Sequence, residues 1–217
     1  MPALGGALLA WGIVTAAVQG LADVEYTQAR LLLGPAGQDR PPPAPAQVAA
    51  ARRHLRAALE WDAGNPHYAE QFARAEELRA LALDPKDPAA RQALRQAAAA
   101  LRLAARERPG SAYTWADLAR VKLRLDDLDF EFYGALERAT RLGPWEFAVQ
   151  IALIDVGLAA WRLLPPAATG MVVGALDRAL LREPGHVDRL AARHGTLPQV
   201  CARPNLPARL AARCVRK

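Results

Sequence analysis

The chain of 217 residues is poor in the residue patterns that build β-sheets and catalytic sites. Aromatic residues make up only 6% of it, and runs of Val, Ile and Thr with alternating polarity are nearly absent. Because strands depend on such runs, an all-α fold is predicted. Ser111 is the single serine, and the sequence has neither a nucleophile-elbow motif nor a glycine-rich phosphate loop. We therefore expect no enzyme activity and no cofactor.

Cysteine is also scarce. The chain has two, Cys201 and Cys214, and neither belongs to a CxxC pair. The 4 histidines lack zinc-ligand spacing, so no metal site is predicted. Both cysteines lie in a short, proline-broken segment, where they could form a disulfide in an exported chain or remain buried thiols in the cytosol. The residues leave both interpretations open.

Positive charge is concentrated at the carboxyl terminus. The formal net charge is +6, and residues 185–217 account for all of it, because their seven basic side chains face one acidic residue, Asp188. The basic residues are Arg189, Arg193, Arg203, Arg209, Arg213, Arg216 and Lys217. Such a segment is either a solvated helical end or a contact for an anionic polysaccharide or lipid headgroup. It lacks the interleaved aromatic residues of a nucleic-acid groove, so no nucleic acid is expected as a partner.

The amino terminus begins with a long uncharged stretch, residues 1–22. Its length matches the roughly 20 residues that a helix needs to cross a bilayer. A transmembrane anchor over residues 1–33 is the favoured interpretation, and a secretory signal peptide is the alternative, because Gly20 and Ala22 form a small-residue pair before Asp23. With the two cysteines, the anchor predicts an envelope protein with a single span, whose soluble part lies on the oxidising side of the membrane.

Proline and glycine divide the remaining chain into short helices. Residues 34–46 are rich in both and are predicted to form an extended linker. From residue 47 onward, turn signals recur at intervals of roughly 15 to 20 residues, which predicts antiparallel helical hairpins over 47–184 and a basic helical cap over 185–217. Helix caps are predicted at Asp87, Ser111 and Asp129.

One spacing recurs in the second helix of the predicted hairpins. Its pattern, A-x3-L-x2-A-x4-P, describes Ala97, Leu101, Ala104 and Pro109. The same spacing returns at Phe132, Leu136, Ala139 and Pro144, at Val172, Leu176, Ala179 and Pro184, and, without the proline, at Ala51, Leu55, Ala58 and Ala63. Small residues let paired helices approach closely, and the proline is expected to end the helix. The recurrence predicts a repeat architecture, to which residues 64–88 conform least.

The best-formed repeat joins WADLARVK to FYGALERATRLGP. It resembles the tetratricopeptide repeat (TPR), whose signature is W-x2-L-G-x2-Y, then A-x3-F, then P. The resemblance implies a TPR-like α-solenoid of stacked hairpins behind one amino-terminal apolar helix. The residues that are then expected to pack between helices are Trp115, Leu118, Ala119, Leu136, Ala139, Pro144, Leu176, Ala179 and Pro184.

A larger part of the chain resembles the VpsP-like family. The apolar amino-terminal span, the proline-rich break and residues 108–146 are similar to these small anchored helical proteins, which are associated with bacterial exopolysaccharide biosynthesis. The resemblance implies an adaptor or scaffold that binds a protein partner in envelope polysaccharide assembly or export. It also implies a bacterial inner-membrane location with the soluble part in the periplasm. Expected partner contacts are Trp145 and Glu146, directly after the repeat, and Lys122, which replaces the TPR tyrosine. The alternative function is direct binding of an anionic polysaccharide or lipid headgroup through the arginine-rich carboxyl-terminal segment.

Overall fold

The regular structure of the protein is helical. The computed structural model describes residues 2–35 and 41–215, and every regular element in these residues is a helix. This confirms the prediction of an all-α fold. The chain forms two compact units, Met1–Pro109 (unit 1) and Gly110–Lys217 (unit 2).

The helices of unit 1 are long, and those of unit 2 are shorter. In unit 1 they are α1 (Pro2–Leu33), α2 (Pro45–Trp61), α3 (Pro66–Leu81) and α4 (Pro88–Glu107). In unit 2 they are α5 (Ala112–Arg124), α6 (Phe130–Leu142), α7 (Phe147–Ala159), α8 (Pro166–Ala179), α9 (Pro184–His194), α10 (Leu197–Cys201) and α11 (Ala208–Val215). A short 3-10 helix, Trp161–Leu163, connects α7 to α8.

Many of these helices begin with proline, which supplies a fixed φ and lacks an N–H that the first turn would leave unpaired. The initiating prolines include Pro45, Pro66, Pro88, Pro166 and Pro184. The prediction that Pro184 ends a helix and packs between repeats is corrected by the structure. It is exposed and begins α9, whereas α8 has already ended at Ala179.

The three predicted helix caps are confirmed. The side chains of Asp87, Ser111 and Asp129 each accept a hydrogen bond from a backbone N–H in the first turn of the following helix, at 2.8, 3.3 and 3.0 Å. These bonds satisfy donors that the start of a helix leaves without an intrahelical partner. The caps therefore define where α4, α5 and α6 begin.

The recurring A-x3-L-x2-A positions form much of the core in both units. All twelve lie in α2, α4, α6 and α8, and none is more than 2% exposed. They are Ala51, Leu55, Ala58, Ala97, Leu101, Ala104, Phe132, Leu136, Ala139, Val172, Leu176 and Ala179. The alanines allow neighbouring helices to approach, and the larger side chains fill the space between them. The residues that share this spacing are thus core residues of every second helix from α2 to α8.

Consecutive helices pack in pairs. In unit 1, α1 contacts α2, α3 contacts α4, and α2 joins the two pairs through α3. In unit 2, α5 contacts α6 and α7, α7 contacts α8 and α9, and α6 also contacts α8. Each pair in unit 2 therefore stacks on the next pair along the chain.

Unit 1 also buries a carboxylate. Glu76 of α3 is fully buried, and it accepts hydrogen bonds from Arg52 at 2.7 Å and from Arg79 at 3.2 Å. With its nitrogen facing the carboxylate, the Gln96 amide donates to the same side chain at 2.9 Å. Since these partners lie on α2, α3 and α4, one carboxylate connects three helices. Residues 64–88 conform least to the recurring spacing because they form α3 and its flanking turns, and α3 alternates with the helices that carry the spacing.

The second half of α1 belongs to unit 1. Ala22, Ala29 and Leu33 are buried in clusters with residues of α2 and α3. This differs from the predicted division, in which residues 1–33 form an anchor apart from the repeats, because one face of the helix supplies part of the core. Within residues 2–35 and 41–215, no helix combines the length and the apolar character needed to span a membrane. The anchor stays a prediction.

The predicted linker at residues 34–46 is shorter in the structure. Helix α1 ends at Leu33, residues 41–44 have no regular structure, and α2 begins at Pro45. Residues 36–40 of the predicted linker lie outside the described residues.

The basic carboxyl-terminal segment packs within unit 2. A disulfide between Cys201 and Cys214 connects α10 to α11. Several of the arginines pair with carboxylates of unit 2: Arg193 with Asp155, Arg209 with Asp177, and Arg213 with Asp188. These ion pairs neutralise part of the predicted positive patch. Arg216 and Lys217 lie outside the described part of the chain.

Candidate functional site

Aromatic and arginine side chains gather at one end of the helix pairs in unit 2. They come from the first turn of α5, the α6–α7 turn, the start of α7, the end of α8 and the α8–α9 turn. We call this set the Trp145 surface, and it consists of Tyr113, Trp145, Glu146, Phe147, Arg178 and Arg182. Trp145 is 69% exposed and Tyr113 is 48% exposed, so the surface presents large rings to solvent.

Close backbone packing positions the turn that carries Trp145. A β-carbon on Gly143 would lie 2.7 Å from Cβ of Ala112 and 3.3 Å from Cγ2 of Val149, so a larger residue does not fit without movement of α5 or α7. The buried Gln150 side chain donates a hydrogen bond to the Pro144 carbonyl at 2.6 Å. Trp145 therefore projects from a turn that is held on two sides.

Two guanidinium groups lie against aromatic rings of this surface. Cζ of Arg178 is 6.0 Å from the centroid of the Trp145 ring, and Cζ of Arg182 is 5.2 Å from that of Phe147. His186 meets Phe147 edge-on, at 6.1 Å between ring centroids. Cation–π contacts of this kind hold the arginines over the rings while their outer N–H groups stay available for an anion.

A hydrogen bond orders the acidic side of the surface. The Tyr113 hydroxyl donates to Oε2 of Glu146 at 2.7 Å, which joins α5 to the α6–α7 turn. This hydrogen bond, reinforced by partial burial, raises the pKa of Tyr113 above its ordinary value. Tyr113 accordingly stays a neutral donor throughout the physiological range of pH.

The arrangement suits recognition of another molecule by contact. Exposed tryptophan, tyrosine and arginine are the residue types that dominate the energy of protein interfaces. An apolar group can pack on the Trp145 ring while a carboxylate reaches Arg178 or Arg182, and Glu146 can accept from a donor beside them. The surface thus offers an apolar contact, two cations and one acceptor.

The predicted repeat-packing residues are largely buried. Leu118, Ala119, Leu136, Ala139, Leu176 and Ala179 are each at most 2% exposed. Trp115 is half-buried, with Cζ of Arg138 lying 4.6 Å from its ring centroid. Pro144 is partly buried in the α6–α7 turn, where its carbonyl accepts the hydrogen bond from Gln150.

Of the three predicted partner contacts, Trp145 and Glu146 are exposed and adjacent, whereas Lys122 is not. Lys122 is only 2% exposed, and its ammonium donates to Asp129 at 2.7 Å and to Glu131 at 2.9 Å. The prediction that Lys122 contacts a partner is therefore corrected. The lysine lies in the interface between α5 and α6, and its charge is neutralised by the two carboxylates at the start of α6.

Burial of Lys122 lowers its pKa, but the two carboxylates outweigh this effect and the net pKa is raised above 10.5. The hydrogen bond from Lys122 lowers the pKa of Asp129 below 3.8, against the opposing effect of burial. The stabilisation by this group of charges is therefore complete between pH 3.8 and pH 10.5, the ordinary pKa values of Asp129 and Lys122. It is lost as the pH falls through the depressed pKa of Asp129, or rises through the raised pKa of Lys122.

Lys122→Met keeps the buried stem and removes the charge. We expect it to lower the free energy of unfolding by about 1–2 kcal/mol at neutral pH, because two charge-assisted hydrogen bonds to partly exposed carboxylates are lost. The difference from the parent protein should stay constant from mildly acidic to mildly alkaline pH and shrink in strong acid. Chemical denaturation at several pH values measures it. A difference that grows in acid would contradict this assignment.

Most of the Trp145 surface was not predicted from sequence. The sequence indicates Trp145 and Glu146 because they follow a repeat directly. It does not indicate the other four members of the surface, which are Tyr113, Phe147, Arg178 and Arg182. Arg178 and Arg182 stand four residues apart, but α8 ends at Ala179, so helical spacing does not place them together. No sequence pattern shows which aromatic rings lie beneath them, because those rings are more than 30 residues away.

Comparison with protein-family models and with curated proteins gives no match for this chain. The fold and the surface together define an all-helical protein with an exposed, preorganised aromatic–arginine surface in unit 2.

Proposed function

We propose that this protein is a TPR-like helical-repeat adaptor that binds a protein partner through the Trp145 surface. The observation that carries the proposal is the exposure of Trp145 on a tightly packed turn, flanked by two arginines and a carboxylate. A rigid exposed aromatic residue binds with a smaller loss of conformational freedom than a mobile one.

The order of helix contacts supports the repeat architecture. In unit 2 the first helix of one pair, α5, contacts the first helix of the next pair, α7, and α7 in turn contacts α9. The second helices, α6 and α8, also contact each other. Stacking of first on first and second on second helices is typical of an α-solenoid, whose repeats each contact their neighbours.

The proposed cellular setting is an envelope polysaccharide assembly system of a bacterial inner membrane. This part of the proposal rests on the resemblance of the apolar amino terminus, the proline-rich break and residues 108–146 to the VpsP-like family. The contacts in unit 2 favour a protein partner over an anionic polymer, since Arg193, Arg209 and Arg213 already pair with carboxylates.

The partner can be identified by placing a photo-crosslinking amino acid at position 145 of the full chain in cells. We expect one predominant cross-linked protein, with capture reduced when Arg178→Ala and Arg182→Ala are introduced together. Phe130, which is 91% exposed at the opposite end of α6, provides the matched control position. Equal capture from positions 130 and 145 would contradict a specific surface at Trp145. Capture that is unchanged by the double substitution of Arg178 and Arg182 would contradict it as well.

A further inference from the structure

The two arginines of the Trp145 surface have no carboxylate partner. Among the residues that the structure describes, no Asp or Glu forms an ion pair with Arg178 or Arg182, and their guanidinium groups lie against the rings of Trp145 and Phe147 instead. Three arginines of α9 and α11, by contrast, pair with carboxylates of the same unit. The two positive charges of this surface are therefore available to another molecule.

Packing holds the Arg178 guanidinium in place. Its Nε is buried and has no hydrogen-bond partner in the part of the chain that the structure describes. A β-carbon built on Gly174, one turn earlier in α8, would lie 3.2 Å from Nη1 of Arg178, so the glycine leaves the space that this nitrogen occupies. The Nη groups are the donors that remain for a ligand, and their planar fork matches the two oxygens of a carboxylate. A guanidinium that is already positioned loses less conformational entropy on binding.

The net charge of the surface matches one carboxylate. Its two arginines and Glu146 sum to +2 − 1 = +1, and the exposed charges of Arg141, at the end of α6, and Glu183, in the α8–α9 turn, cancel each other. A phosphoryl group carries a charge of about −1.5 to −2 at neutral pH and would be repelled more strongly by Glu146. An Asp or Glu side chain balances the surface without an excess of negative charge.

The ligand also needs an apolar side chain. Trp145, Tyr113 and Leu181 are exposed by 69, 48 and 54%, and covering such side chains with another apolar group is favourable. Leu181 is next to Arg182 in the chain, and a hydroxylated sugar ring would cover it less well than an aliphatic or aromatic side chain does. Because Cζ of Arg178 is 6.0 Å from the Trp145 ring centroid, the acidic and apolar groups of the ligand must lie within a few residues of each other.

We propose that the Trp145 surface binds an acidic peptide segment of its partner. An Asp or Glu side chain of the segment pairs with Arg178 or Arg182, and a neighbouring aromatic or aliphatic side chain packs on Trp145. The inference rests on the proposed function and goes beyond it by naming the chemistry that the partner presents.

Selection of short random peptides displayed on phage, with the full chain as the target, identifies the preferred chemistry. Peptides that bind the Trp145→Ala chain are removed first, so that those retained depend on this surface. We expect the retained peptides to carry Asp or Glu close to an aromatic or aliphatic residue. Selection of no peptide, or of peptides without an acidic residue, would overturn the proposal.

The affinity of the strongest selected peptide, made synthetically and measured by fluorescence polarisation, tests the ion pair. Replacing its acidic residue by the corresponding amide should weaken binding on the order of 10-fold, and so should Arg178→Gln combined with Arg182→Gln. Both changes together should weaken binding little more than either one, because they remove the same contact. Equal affinity of the acidic and amide peptides, or an affinity that is unchanged in the arginine variant, would contradict the proposal.

Arg162→Gln is the matched control. Arg162 is exposed in the 3-10 helix that precedes α8, whereas Arg178 lies in the last turn of α8, so its replacement should leave the affinity unchanged. Circular dichroism verifies that the variants keep their helices. Added sodium chloride should weaken binding of the acidic peptide and change that of the amide peptide far less, since exposed ion pairs are screened by salt.

Other ligands and a failure of the proposed function give different results. Displacement of the peptide by its phosphoserine form, or by oligogalacturonate, at a lower concentration than the acidic peptide itself requires would assign the arginines to phosphate or to an acidic sugar. If the retained peptides lack acidic residues, the inference fails but the protein-binding surface stands. Equal cross-linking from positions 130 and 145 contradicts the proposed function itself.

Discussion

Replacing Glu76 with alanine is expected to lower the free energy of unfolding of unit 1 by about 3–5 kcal/mol. The carboxylate is fully buried and receives the guanidinium groups of Arg52 and Arg79. Its removal leaves the Arg52 side chain, which is 17% exposed, without its charge partner and opens a gap between α2, α3 and α4. A loss of this size is a large part of the stability of an ordinary domain.

Two further variants separate charge from volume. Glu76→Gln keeps the shape and an acceptor oxygen, so we expect a smaller loss of about 1–2 kcal/mol. Glu60→Ala removes an exposed carboxylate from α2 and should change stability by about 0.5 kcal/mol or less. Hydrogen exchange of peptides from α2, α3 and α4 reports on unit 1 specifically. Equal effects of Glu76→Ala and Glu60→Ala would show that the buried carboxylate does not connect these helices.

Gly157→Ala is expected to destabilise unit 2 by about 2–3 kcal/mol, although alanine is the better helix former. Gly157 lies on the buried side of α7. A β-carbon added there would be 2.8 Å from Cγ1 of Val172 and closer still to its Cγ2. Val172 is fully packed in α8 and cannot move aside freely. The added methyl group therefore forces α7 and α8 apart.

A second glycine in the same unit gives the opposite expectation. Gly170 is exposed within α8, and nothing lies within 4 Å of a β-carbon built there, so Gly170→Ala should stabilise by about 0.5–1 kcal/mol. Combining Gly157→Ala with Val172→Ala should cost less than the sum of the two single changes, because the smaller side chain makes room for the methyl group. Chemical denaturation of the four variants measures both effects. Additive losses would contradict direct contact between these positions.

The apolar framework follows from local sequence patterns. The spacing that places Ala97, Leu101 and Ala104 on one side of α4 depends only on the helical period and on residue size, so it is visible in the sequence. The caps at Asp87, Ser111 and Asp129 are similarly local, since each side chain bonds a backbone N–H two or three residues away.

Contacts between distant residues could not be predicted in the same way. Glu76 looks like an ordinary surface residue of α3 until Arg52 of α2 is placed beside it. The sequence suggests Lys122 as a partner contact because it replaces the tyrosine of the repeat signature. Its carboxylates lie in the next turn and helix, and only the hairpin geometry brings them to its ammonium. For the Trp145 surface the exposed ring was found from sequence, whereas the arginines above the rings depend on how α7 and α8 pack.

Helix α1 illustrates a further limit of sequence patterns. From residue 14 onward, its apolar side chains are divided between a face that packs in unit 1, with Ala22, Ala29 and Leu33, and exposed positions such as Leu21 and Leu31. The membrane span stays a prediction. Counting apolar residues does not show which of them pack in the core and which stay exposed. The direction in which each residue points, set by contact with α2 and α3, makes this distinction for residues 14–33.

The affinity of the purified cross-linked partner for three forms of the full chain shows whether the Trp145 surface is the binding site. Isothermal titration calorimetry should show that Trp145→Ala weakens binding by about 2 kcal/mol, or roughly 30-fold in Kd, because an exposed tryptophan at the centre of an interface contributes strongly. Phe130→Ala, which removes an even more exposed ring from the other end of α6, should bind like the parent chain. Equal Kd values for the parent chain and Trp145→Ala would contradict the assignment of this surface as the binding site.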